Sequence, residues 1–136
     1  MIKSLAVFSL WLLPVFCYAQ NDNISVYVHN GHGFKSILLL GNKTGYSYSG
    51  PHLFTDEVFT YQYHGSNLIR TFDPEYSLKY RTDTLKVEGK DRLRSQDGVR
   101  FRRVNAKTQT RLLKNYILPS ADAGYYRVFL EKHQNR

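Results

Sequence analysis

Cysteine is almost missing from this chain. Cys17 is the only one, and it stands within the first twenty residues. The remaining chain can therefore form no disulfide, thiolate nucleophile or cysteine-ligated metal centre. Catalytic signatures are missing as well: there is no glycine-rich phosphate loop, no HExxH pair and no GxSxG elbow. No cofactor is expected. Long apolar runs are confined to the N-terminus, so no later segment is expected to span a membrane as a helix.

What is present begins with MIKSLAVFSLWLLPVFCYAQ. Lys3 supplies a short positive end, and Leu5 to Phe16 is uncharged and almost wholly apolar. Cys17 and Ala19 place small residues at the −3 and −1 positions of a cut before Gln20. Charge, apolar centre and small cleavage pair make the pattern of a secretory signal peptide, residues 1–19. Val15 and Phe16 precede Cys17, so the small residues that mark an acylated lipoprotein are not there. The expected location is secreted or periplasmic. Removing 19 of the 136 residues leaves 117, a length that suits one domain over residues 20–136.

That domain is rich in tyrosine and in short alternating segments. Ile24–Val28, Lys35–Leu40, Tyr46–Ser49, Val58–Tyr63 and Leu68–Phe72 read as strands, with Asn, Gly, Pro or Asp between them. Tyr76–Tyr80, Thr84–Glu88 and Val99–Val104 continue the series. Gly89–Gly98 reads as a charged loop. In the tail, Leu112, Leu113, Tyr116 and Ile117 suit one face of a short helix within Asn105–Leu118. Pro119 ends it, and Tyr125–Leu130 reads as a last strand that pairs with the first. The expected fold is all-β or mainly β: an antiparallel meander, either a closed barrel or a partly open one, with a short C-terminal helix before the last strand.

Several of these segments carry a resemblance. Leu38-Leu39-Leu40, Gly45-Tyr46, Phe59-Thr60-Tyr61-Gln62-Tyr63 and Gly65-Ser66-Asn67-Leu68 are among them. Thr82 to Val87 and Gly98 to Val104 complete the set. Over roughly residues 36–104 the chain resembles small secreted bacterial lipocalin-like domains. The resemblance implies an up-and-down β meander, often a barrel. Two features depart from it: no tryptophan stands near the start of the mature chain, and the segment after Val104 is extra.

Charge gives the functional lead. Between Lys90 and Lys114 nine cations face only Asp91 and Asp97, a local excess of seven. Such a stretch attracts anions over a Debye length of roughly 8 Å in physiological salt. Arg92 and Arg94 in the expected loop, and Arg100 and Arg102 on one strand face, are the expected anion contacts. Anionic lipid, glycan or protein surfaces are the expected partners, since a secreted location argues against nucleic acid. Tyr46, Tyr48, Phe59, Tyr61 and Tyr63 have two readings, as core packing or as the lining of a pocket for a small apolar ligand.

The expected function is a non-enzymatic extracytoplasmic binding or structural domain. The alternative is a secreted hydrolase, a small ribonuclease using Glu57, His64 and Arg70 as acid, base and phosphate contact. His29 and His32, with His52, His64, Asp56 and Glu57 as further candidates, have no metal-site spacing.

Overall fold

The computed structural model describes residues 24–31, 33–51, 54–77, 81–117 and 125–134. The expected signal peptide lies outside them, as do His32 and His52. Eight antiparallel strands follow one another around a closed barrel: β1 (Ser25–Asn30), β2 (Lys35–Leu40), β3 (Thr44–Gly50), β4 (Thr55–His64), β5 (Asn67–Phe72), β6 (Arg81–Val87), β7 (Arg92–Arg94) and β8 (Arg100–Arg103). The ring closes where Tyr27 and Val28 of β1 pair with Arg103 and Arg102 of β8. Each strand thereby has a neighbour on both sides, although β6 pairs with β7 only at Lys86 and Val87 and β1 with β8 only at Tyr27 and Val28.

The alternation of side chains builds two cores. Facing inward, Tyr27, Leu38, Leu40, Phe59, Leu68, Phe72, Leu85 and Leu93 form one buried cluster, with Tyr61, Val87 and Phe101 packed against it. β3 contributes Gly45 to this side. A Cβ on Gly45 would come within 2.2 Å of the Phe59 ring, so the glycine is what lets that ring lie across the barrel. At the β4–β5 turn Gly65 adopts φ +61 in the first central position, which primed two-residue hairpins favour for glycine.

Facing outward, Val26, Ile37, Leu39, Tyr46, Tyr48 and Val58 of β1–β4 form the second core with two helices. α1 (Ala106–Leu112) starts at Asn105, whose side-chain oxygen accepts from the Thr108 amide at 2.8 Å. It runs on as a π-helical turn, Leu113–Ile117, and buries Leu112 and Ile117. α2 (Tyr126–Gln134) lies against β3 and β4 and buries Tyr126 and Phe129. The Asp56 carboxylate accepts hydrogen bonds from the Tyr125 amide at the start of α2 and from the Tyr46 hydroxyl. Near the other end, the Asn42 amide donates to His133 Nδ1 at 3.0 Å.

Three expectations are corrected. Tyr125–Leu130 is not a last strand; from Tyr126 it is helix α2. The side of β1 that the last strand was expected to join is taken by β8 at Tyr27 and Val28, while Tyr126, Phe129 and His133 recur at helical spacing on one face. Gly89–Gly98 is not all loop, since it contains β7. Tyr76 belongs to a 3₁₀ turn, Pro74–Tyr76, capped by Asp73, rather than to a strand. Leu78–Tyr80 of that expected strand lie outside the described residues. The mainly-β antiparallel barrel itself, with a short helix after it, is as expected.

Candidate functional site

β7 reads Arg-Leu-Arg and β8 reads Arg-Phe-Arg-Arg. The register sets Leu93 opposite Phe101 on the inward side, where both join the barrel core. The period of two then turns the neighbouring residues outward. Arg92 stands directly opposite Arg102, and Arg94 directly opposite Arg100. Partners across the strands are roughly 5 Å apart and partners along a strand roughly 7 Å, so four guanidinium stems rise from one small rectangle. Lys86 of β6 lies opposite Arg94 and extends the row.

Little within the chain balances these charges. Arg94 Nε pairs with Glu88 at 2.9 Å, and both side chains are partly exposed. Arg92, Arg100 and Arg102 are exposed and have no carboxylate partner among the described residues. Like charges directly opposite across a sheet destabilise it, by up to about 1 kcal/mol a pair. A bound anion would relieve that repulsion. A cleft of about 480 Å³ follows the ribbon, lined by Arg92, Arg100 and Arg102 with Glu88, Leu93 and Phe101.

The four arginines singled out from the sequence thus share one face. For Arg92 and Arg94 the exposed position comes from a strand, not from the expected loop. Lys86 and Glu88 belong to the same face and were missed. Their place beside the arginines depends on β7, which is three residues long.

The five aromatic residues do not line one pocket. Tyr46 and Tyr48 face outward and are buried under the helices. Phe59 and Tyr61 face into the barrel, and the Tyr61 hydroxyl donates to the Gly41 carbonyl. Burial pushes the Tyr61 hydroxyl pKa up to about 12, helped by the neighbouring Tyr63. Tyr63 is on the same strand but is 56% exposed.

Glu57 and Arg70 lie on the inward side of the barrel, inside a network of ion pairs. Arg70 grips Asp83 with two hydrogen bonds of 2.7 Å, and Arg81 grips Glu57 at 2.7 and 3.0 Å. Ser77 also donates to Glu57. The Arg81 guanidinium lies over the Phe72 ring, 3.8 Å from its centroid. Burial raises the Glu57 pKa, but hydrogen bonds from Arg81 and Ser77 and the charges of Arg81 and Arg70 outweigh it, so the carboxyl sits below its ordinary 4.5. A carboxylate held ionised by a forked arginine is poorly suited to moving a proton near neutral pH. His64 stands apart, at the far end of β4 and on its opposite face, roughly 23 Å along the strand from Glu57. The Glu57–His64–Arg70 arrangement is not formed.

His29 faces inward between Phe34 and Phe101, with ring centroids 6.0 and 6.1 Å away. Its Nδ1 lies 2.9 Å from the Arg100 carbonyl, which can only accept, so Nδ1 carries the proton. Among the described residues no three His, Cys, Asp or Glu side chains are grouped as a metal site. None of the described helices is long and apolar enough to cross a membrane.

Fold and face together define an eight-stranded antiparallel barrel whose outer wall is apolar under the helices and basic at β7–β8. No protein-family model matches the chain, and no curated protein or solved structure matches it either.

Proposed function

We propose that this protein is a non-enzymatic binding domain working outside the cytoplasm, and that its β7–β8 face docks on an anionic component of the cell envelope. The observation that carries the reading is the outward set Arg92, Arg94, Arg100 and Arg102, of which, among the described residues, Arg94 alone has an internal counter-charge. The N-terminal leader pattern supports the secreted or periplasmic location. We also read the barrel as lipocalin-like. The eight-strand meander and its closure are compatible with that kinship. The side chains packed across the middle of the barrel favour docking on its outside over capture of a small apolar ligand within.

The test is retention on a heparin column as salt is raised, comparing the wild type with Arg92→Thr/Arg100→Thr/Arg102→Thr. Exposed charge pairs contribute up to about 1 kcal/mol each, so the triple variant should bind roughly tenfold to a hundredfold more weakly at low salt. It should melt no lower than the wild type, because threonine suits a strand and opposed like charges are removed. Unchanged retention would refute the docking face. Retention lost together with folding would indicate that the arginines serve stability instead.

A further inference from the structure

We infer that the anion received by this face is a uronate-bearing polysaccharide chain. The inference rests on the docking reading above and deepens it. The basic ribbon does not stand alone. Beside it, a second concave surface of about 650 Å³ crosses the outer side of β5 and β6 to the β7–β8 loop, lined by Asn67, Thr84, Lys86, Arg94, Ser95 and Gln96. Both volumes fall in the range of roughly 300–1,000 Å³ that ligand sites occupy. Arg94 of the second surface is opposite Arg100 of the first cleft and paired with Glu88 of that cleft, so the two surfaces adjoin along one track. From β5 to β8 that track is roughly 15 Å across, long enough for a chain of sugars rather than a single one.

The lining separates the candidate anions. A phosphate array needs donors only. Asn67, Thr84 and Gln96 can both donate and accept, as sugar hydroxyls do. Ser95 Oγ already accepts from the Val99 amide at 3.0 Å, which leaves its proton to donate outward. Arginine forks match the planar carboxylate of a uronate with two parallel hydrogen bonds. A lipid surface would call for apolar wedges among the cations. Among the described residues the large exposed apolar side chains are elsewhere: Phe34 and Phe54 lie in the loops before β2 and β4, and Tyr63 lies on β4. A single-stranded nucleic acid would call for exposed aromatic rings on which bases stack; none of those three is on this face, and Phe101, which lines the first cleft, turns inward to the barrel core.

The experiment titrates the purified protein with polygalacturonate, inorganic polyphosphate and phosphatidylglycerol vesicles at about 0.15 M salt, where long-range attraction is screened. A second protein, Asn67→Ala/Thr84→Ala, keeps every charge and loses the neutral groups of the track. Polygalacturonate should bind at least roughly tenfold tighter than polyphosphate, and the double variant should lose roughly tenfold for polygalacturonate alone. Equal binding of all three anions, with the double variant behaving as wild type, would overturn the glycan inference and leave a general anion-docking face. Preference for the vesicles would overturn it in favour of lipid. If none of the three binds, the docking reading fails and the inference goes with it.

Discussion

The two halves of the barrel's outer wall share one backbone geometry and differ in chemistry. On β1–β4 the outward positions hold Val26, Ile37, Leu39, Tyr46, Tyr48 and Val58, and two helices cover them. On β6–β8 the outward positions include Thr84, Lys86, Arg92, Arg94, Arg100 and Arg102, and the cationic ones other than Arg94 are exposed. β8 takes the neighbouring position beside β1, and the chain after β8 adds structure by lying on a face of the barrel. It lies where the face is apolar, because apolar burial is the main term that can offset the entropy of ordering it. The basic half therefore differs from ordinary solvated surface: it is the wall the two described helices leave uncovered, and its charges face one another.

The sharpest way to break that comparison is to cut one side chain back to alanine in each half. Phe129 is fully buried in α2, with its ring centroid 6.1 Å from Tyr46, 6.2 Å from Tyr126 and 6.0 Å from His133. Phe129→Ala should cost about 3–5 kcal/mol in urea unfolding, as buried aromatic deletions do. Thr84→Ala on the open half should stay within about 0.5 kcal/mol. Similar losses from both would mean that the open wall is also structural, and the contrast between the halves would collapse.

Much of this architecture was legible in the sequence, and the failures have physical causes. β2 and β5 stand out as apolar runs bounded by turn residues, and both are found where expected. In β8 the core residue Phe101 stands between two arginines and fixes Arg100 and Arg102 as outward. β7 was hidden because three residues, two of them charged, carry almost no periodicity. The tail misled through composition: Tyr125-Tyr126-Arg127-Val128-Phe129-Leu130 is made of strand-favouring residues, yet tertiary context decides their state. Context also decided the tyrosines. Alternation within β3 and within β4 is plain, but a strand taken alone does not say which parity faces inward. Gly45 answers that for β3, because its missing side chain makes room for Phe59 and sends Tyr46 outward.

The next effect in size compares two adjacent carboxyls on β4 that face opposite ways. Glu57, inside, is held below its ordinary 4.5 by Arg81 and Ser77 despite burial. Asp56, outside under α2, is pushed above its ordinary 3.8, first by burial and also by the Glu57 charge, with hydrogen bonds from Tyr125 and Tyr46 pulling the other way. The signs are opposite. Glu57 contributes stability that is fully present above pH 4.5 and is lost as pH falls through its lower folded value. Asp56 contributes a decline as pH rises from 3.8 through its raised folded value. Glu57→Gln should cost about 2 kcal/mol at neutral pH, and the difference should shrink in acid below pH 4.5. Asp56→Asn should instead remove the decline above pH 3.8. Urea midpoints measured across the acid range check both, and parallel pH curves for the two variants would contradict the opposed environments.

The smallest effect probes how dry the covered half is. Thr44, at the start of β3, is fully buried on the outward side, and its hydroxyl oxygen has no hydrogen-bond partner among the described residues. A buried hydroxyl left unmatched is a liability that an apolar group of the same shape removes. Thr44→Val should leave stability unchanged or raise it by up to about 1 kcal/mol. Thr44→Ser keeps the hydroxyl and deletes a methyl, so it should cost about 1 kcal/mol. The two variants together separate packing from polarity at one site. If valine proves the more damaging of the two, the hydroxyl holds an ordered water beneath the helices. The apolar half would then be sealed through a polar bridge as well as by contact between its aromatic rings.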